Sequence, residues 1–316
     1  MTSARPLRVA LLGSPAFALP TLEMLFERHD LRLVIAQNDK PAGRRMRSTT
    51  PATALWAREH GVPLAQPERL KGNDAFVREL EALDLDVAVT AAYGKILPAT
   101  VLAVPSHGVL NVHGSLLPAY RGAAPVQWAL IDGLLETGVS IMQTETGLDT
   151  GPVRHVRRRA ILPAHDARSL ANELAHAGAH ALAEALDALV RGTLPSLPQD
   201  AAAATHAPRL TKDDGRVRWH ESARRIHDRY RGVAGWPGTW TTSAGVDLKV
   251  HDMTLAPELH SAEAPGTITS IDPAGVTVAT GDGVVVVREV QTPGRTRVEA
   301  GAWAHGARIG KGERLG

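Results

Sequence analysis

The sequence predicts an α/β chain, a doubly wound and mostly parallel sheet followed by a small β-barrel. Three observations carry that expectation. Short apolar runs recur through the first two-thirds of the chain, at residues 8–12, 31–36, 86–91, 109–112 and 139–142. Segments with helical spacing separate them, which is the pattern of alternating strands and helices. Beyond residue 208 the pattern changes to short strands broken by Gly and Pro, as in small barrels. Between the two regimes, residues 192–208 hold three prolines and a run of four alanines with little periodicity, and read as a linker. At 316 residues two domains are expected, here 1–191 and 209–316.

The elements follow in order. Residues 8–12 form a buried first strand, and Gly13-Ser14-Pro15 turns into a helix over 20–28. That opening lacks G-x-G-x-x-G, which argues against a dinucleotide and a nicotinamide oxidoreductase. Residues 31–36 are the second strand. The polar stretch 37–50 carries Pro41, Gly43, Arg44, Arg45 and Arg47, and is long enough for a functional loop. A helix over 51–60 has Pro in its first turn. Another over 73–83 has Asn73 as its N-cap. The strand 86–91 ends in Ala92-Tyr93-Gly94, where Gly94 lets the backbone approach a flat ligand closely. Short and long helices follow at 125–131 and 165–190, with an alternating basic edge strand at 154–162 between them. Past the linker, residues 217–231 fit a helix that buries Trp219, Ile226 and Tyr230. Strands then follow at 246–250, 266–271, 275–280 and 284–290.

Composition narrows the class. The apolar share is 44% and the formal net charge is +2, with no cysteine. Disulfides and thiolate zinc sites are excluded. No apolar run is long enough for a bilayer, and residues 1–6 lack a signal-peptide core, so a cytoplasmic protein is expected. Residues 208–316 hold 15 basic and 13 acidic side chains, so neither half is a basic domain. Basic character is local: Arg44, Arg45 and Arg47; residues 154–159; Arg224, Arg225, Arg229 and Arg231; Arg295 and Arg297. Clustered arginines bind phosphate bidentately, although each cluster taken alone reads as a solvated face.

The chemistry gathers in Gly108-Val-Leu-Asn111-Val-His113-Gly-Ser115-Leu116-Leu117-Pro118. Asn111 and His113 interrupt an apolar strand near its carboxyl end. Two residues apart, they share a face, and the ends of such strands are where open α/β sheets bind ligands. Downstream, after the strand 139–142, comes Thr146-Gly-Leu-Asp149-Thr-Gly151. A carboxylate beside a neutral imidazole is a common way to orient a base. No zinc spacing links the histidines.

These residues carry a resemblance. Asn111-x-His113-x-Ser-Leu-Leu-Pro118 with Gly-Leu-Asp149-Thr-Gly151 resembles the folate-dependent formyltransferases, and residues 7–17 are similar to their first strand and loop. Gln37-x-Asp39-x-Pro-Ala-Gly-Arg44 and residues 92–98 narrow the likeness to the methionyl-tRNA formyltransferases, over nearly the whole chain. The resemblance implies a Rossmann-like catalytic domain and an OB-like, tRNA-binding C-terminal barrel. It implies transfer of the formyl group of 10-formyltetrahydrofolate to the α-amino group of initiator methionyl-tRNA, by a monomer that needs no metal. Asn111, His113 and Asp149 would be catalytic, Ser115, Leu116, Leu117 and Pro118 would help hold the folate, and Arg44 would meet the tRNA acceptor end. Arg45-Met-Arg47 departs from the family pattern of a Gly followed by a Lys pair, and the loop is a residue shorter. The nearest alternative is a formyltransferase acting on an amino sugar nucleotide, which would share the same three residues. A non-catalytic tRNA-binding module would not require them.

Overall fold

The computed structural model describes residues 5–42 and 47–316, with 40–42 and 47–48 given by their backbone alone. The contacts divide the chain into two compact units. The first comprises Met1–Pro125, Glu136–Ala160 and Leu170–Pro208. The second comprises Val126–Leu135, Ile161–Ser169 and Arg209–Gly316. Two short internal stretches thus group with the C-terminal residues.

The first unit is built on a seven-stranded sheet. Its order is Val153–Ala160, Glu136–Gln143, Val109–His113, Val87–Ala91, Arg8–Gly13, Asp30–Ile35 and Leu64–Ala65. The five strands from Val109–His113 to Leu64–Ala65 run parallel. The two strands at the other edge are antiparallel. From the central strand Arg8–Gly13 the chain first builds one way and then returns to build the other. The sheet is doubly wound, and its switch point lies between Arg8–Gly13 and Val87–Ala91. Asp86 fixes the register there. Its carboxylate accepts from the Arg8 backbone at 2.7 Å and from the Arg8 guanidinium at 2.8 Å. The Arg8 side chain holds that carboxyl well below the usual range.

Both faces of the sheet are covered. On one, Ala10, Leu12, Ala88 and Val109 pack with Leu70, Phe76, Leu80 and Val101. Those partners come from the helices Asp74–Glu81 and Ala99–Leu102 and a preceding turn. Asn73 caps the first of these helices, accepting from Phe76 N at 3.2 Å, as its sequence predicts. On the other face lies the long helix Ala167–Val190. Leu170, Leu174, Leu182 and Leu186 recur at helical spacing and are fully buried. Gly178 sits in the same row, and a Cβ there would lie 2.6 Å from Val112 Cγ1. The stretch 37–50 is not structureless, because Lys40–Ala42 pairs with Arg47–Thr49.

The second unit is an antiparallel sheet in the order Thr239–Ser243, Val246–Leu255, Val284–Gln291, Gly275–Ala279 and Ile268–Asp272. Its two ends are joined by the last residues. Arg314 bridges Thr267 and Leu315 bridges Ser243, so the sheet closes into a barrel and leaves no long edge. Val250, Ile268, Val278, Val285 and Val290 fill its interior with Trp219 and Ile226. The helix expected over 217–231 begins later, at Ala223–Gly232. Ser222 is its N-cap, accepting from Arg225 N, while Val217 N donates to Trp240 O. The cap and that strand-like contact together stop helix from extending back to residue 217. No helix among the described residues is long and apolar enough to cross a membrane.

Candidate active site

Beside the switch point a cavity of about 780 Å³ is lined chiefly by residues from 37 to 55, with the loop after Arg8–Gly13 and Ala92 completing it. Ser14, Pro15, Gln37, Thr50 and Ala92 contribute to its lining. Ala92 has a positive φ of 49°. Gly94, at φ +76°, has the Gln37 amide against its open side, 2.8 Å from where a Cβ would be. A side chain thus approaches Gly94 closely, and Gln37 Nε2 also donates to Tyr93 O at 2.6 Å. Burial pushes the Tyr93 hydroxyl up to about 12.

Asn111 and His113 lie on the same strand and face. Asn111 is opposite Thr90 in register, and Thr90 Oγ1 donates to Asn111 Oδ1 at 2.8 Å. That bond orients the amide. Its oxygen is occupied, and its Nδ2 has no protein partner among the described residues, so two N–H donors are available. His113 is buried, and its Nε2 lies 2.9 Å from Tyr120 O. A carbonyl only accepts, so Nε2 carries a proton, and a neutral ring would present its lone pair at Nδ1. Nδ1 faces Asp149 Oδ2 at 3.7 Å. The Tyr120 carbonyl thus favours the tautomer protonated at Nε2.

Asp149 is held from the other side. Its Oδ2 accepts from Gly122 N at 2.8 Å, and its φ is +52°. Tyr120 also has a positive φ, +59°. Strained conformations of this kind persist where surrounding contacts over-determine them, and they gather at functional sites.

The remaining expected residues fall in two places. In the turn after Val109–His113, Ser115 Oγ donates to Ala119 O at 2.6 Å, and its carbonyl accepts from Ser140 Oγ. Leu117 is buried against Met142 and Val153, while Leu116 and Pro118 are half-buried. Arg44 and Arg45 lie outside the described residues, as does the side chain of Arg47. The base of their loop is described. Asp39 accepts from Gln66 Nε2 at 2.9 Å and from Thr50 Oγ1 at 2.8 Å, bonds that draw its carboxyl down. Among the described residues no group of three metal-ligating side chains occurs.

Comparison with known proteins agrees with this architecture. The family model described as formyl transferase matches residues 7–186, and that of the formyl transferase C-terminal domain matches 209–308. The chain belongs to the formyl transferase family. A methionyl-tRNA formyltransferase of Deinococcus radiodurans is 46% identical over 100% of this chain and 98% of its own. One from Thermus thermophilus is 44% identical over 98% of this chain and 99% of its own. Among solved structures, an N-formyltransferase from Helicobacter canadensis superposes with a TM-score of 0.67 at 15% identity, over 90% of this chain and 99% of its own. HypX from Aquifex aeolicus, in complex with tetrahydrofolic acid, gives 0.66 at 17%, over 97% of this chain and 48% of its own. These two likenesses establish the fold alone.

Sequence reasoning missed Thr90 and Tyr120 in this formyl transferase. Thr90 could have been found by aligning neighbouring strands, which places it beside Asn111. Tyr120 acts through a carbonyl, which leaves no residue signature.

Proposed function

We propose that the protein transfers the formyl group of 10-formyltetrahydrofolate to the α-amino group of initiator methionyl-tRNA. The relatives' identity over the full chain supports the substrate pair, and one geometric observation supports the chemistry. A buried imidazole with a free Nδ1 faces a carboxylate, beside an amide whose N–H donors are unspent. The attacking amine must be neutral, and an α-amino group titrates near pKa ~8. His113 Nδ1 takes up its proton, directly or through water, and Asp149 stabilises the imidazolium that results. Asn111 Nδ2 donates to the formyl oxygen as the carbon becomes tetrahedral. The C–N10 bond then breaks, and the proton passes to the leaving folate nitrogen.

Within this reading residues 1–191 are catalytic and 209–316 bind tRNA, as a cytoplasmic monomer. The switch-point cavity and the turn Ser115–Pro118 receive the folate and the acceptor end between them. Asp39 pins the residues that precede the Arg44 loop, and Arg44 is the residue that meets the tRNA. Several arginines outside that loop are paired with carboxylates. Arg157 pairs with Glu184, Arg158 with Glu136, and Arg224 and Arg231 with Asp228. Because the family resemblance puts Arg44 at the tRNA, Arg44→Ala is expected to lower kcat/KM for charged tRNA about tenfold, the order of one charge-assisted hydrogen bond, while folate binding by titration stays unchanged.

The deciding assay is formyl transfer to methionyl-tRNA, with amino sugar nucleotides in parallel. Transfer to methionyl-tRNA is expected. Transfer to the sugar alone overturns the substrate assignment and leaves the chemistry in place.

A further inference from the structure

Residues 192–208 carry no sign of chemistry in the sequence, yet in the structure they are stitched to both loops of the candidate site. Leu197 exchanges two backbone hydrogen bonds with Val153, at 2.8 and 2.9 Å. Thr205 Oγ1 accepts from Tyr120 N at 2.8 Å, and Thr205 O accepts from Arg121 N at 2.9 Å. His206–Ala207 pairs with Arg121–Gly122. At the centre is one side chain, Gln199. Its Oε1 accepts from Arg121 Nε at 3.0 Å and Nη2 at 2.7 Å. Its Nε2 donates to Asp149 O at 2.9 Å and Gly151 O at 2.7 Å. A guanidinium has no acceptor, so the amide cannot be reversed.

We propose that Gln199 is a positioning residue for formyl transfer and acts through Asp149. The proposal rests on the reading of Asn111, His113 and Asp149 given above. His113 depends on the Tyr120 carbonyl for its tautomer and on Asp149 for its charge partner. These two supports lie on separate loops, each bent through a positive φ. Gln199 is a cross-link between those loops, with one end on the buried Arg121 and the other on the carbonyls flanking Thr150. It fixes the separation across which His113 Nδ1 faces Asp149 Oδ2. Neither its length nor its donor–acceptor pair is incidental. An Asn is one methylene short, and a Glu keeps the Arg121 contact but turns a carboxylate oxygen toward two carbonyls.

The test is steady-state kinetics across pH for Gln199→Glu and Gln199→Met, each in the parent and in an Asp149→Asn background. A misplacement of roughly 1 Å at a catalytic group can cost about a hundredfold in rate. Gln199→Glu is accordingly expected to lower kcat by tenfold to a hundredfold, leave KM for both substrates unchanged, and displace the acidic limb of the kcat profile. In the Asp149→Asn background the same change should cost nothing further, because both act on one interaction. Parent-like kcat, an equal loss in both backgrounds, or a fall in kcat that merely tracks the melting temperature would each overturn the proposal. Gln199→Met keeps the volume without the charge, and it is read the same way if the Glu variant does not fold. An active Asp149→Ala variant would instead sink the reading of the site. A crippled Asp149→Ala beside fully active Gln199 variants would sink the cross-link alone.

Discussion

In the proposed reaction Asn111 is useful because Thr90 occupies its oxygen. An unpaired Asn amide rotates to suit its neighbours, whereas here one 2.8 Å bond leaves its N–H groups available to a substrate. Two predictions belong at this scale. Asn111→Ala removes the donor itself and should lower kcat by ~10²–10³, the usual loss for one oxyanion donor, with folate affinity unchanged by titration. Thr90→Val keeps shape and removes only the orienting hydroxyl. One net hydrogen bond is worth about 1 kcal/mol, so kcat should fall several-fold. An unaltered kcat in Thr90→Val would mean that strand geometry alone holds the amide. These residues differ in how legible they are. Asn111 and His113 stand out as polar side chains inside an apolar strand, and Asp149 as an acid in a Gly-flanked turn. Thr90 does not, since threonine is ordinary in strands. Gln199 lies 78 residues from Arg121 in sequence, within a stretch whose composition reads as tether. No local signal connects the two.

At the scale of elements, the site strand depends on the helix behind it. Gly178 brings Ala167–Val190 down onto Val112, the residue between Asn111 and His113. Gly178→Leu would gain about 1 kcal/mol of helix propensity. It would meet a strand with no room for it, and overpacking costs typically 1–3 kcal/mol. Burial should win. Chemical denaturation should show lower stability, and kcat should fall with it as Val112 shifts the strand. A variant as stable as the parent would show that the helix can lift without cost. The strands and the long helix were legible because their periodicity reports burial directly. The start of Ala223–Gly232 was not. Its amphipathic pattern continues upstream, and only the Ser222 cap and the Val217–Trp240 backbone bond stop it.

For the whole molecule, a histidine outside the candidate site contributes to acid stability. Burial, and then the Arg231 charge, push His227 down to about 4. In the unfolded chain its pKa is ordinary, ~6.5. Between those values the unfolded state binds the extra proton, so stability falls as pH drops from about 6.5 toward 4. Melting temperatures across that window should decline less steeply in His227→Gln than in the parent. Equal slopes would place the sensitivity elsewhere.

The outer strand Val153–Ala160 has a consequence of another kind. Its Arg157, Arg158 and Arg159 lie against Glu184, Glu136 and Glu173, and Leu197 covers its backbone at one end. Among the described residues no further strand pairs with the rest of it, and such a margin is of the sort on which a second molecule adds strand to strand. The charged row makes that addition costly by requiring desolvation of every pair. Ordinary ionic strength screens charges beyond about 8–10 Å, and concentrated salt shortens that distance to about 3 Å, close to the length of these pairs. Concentrated salt would therefore unguard this margin first, and dimers or larger stacks formed there would join through edge-to-edge backbone hydrogen bonds.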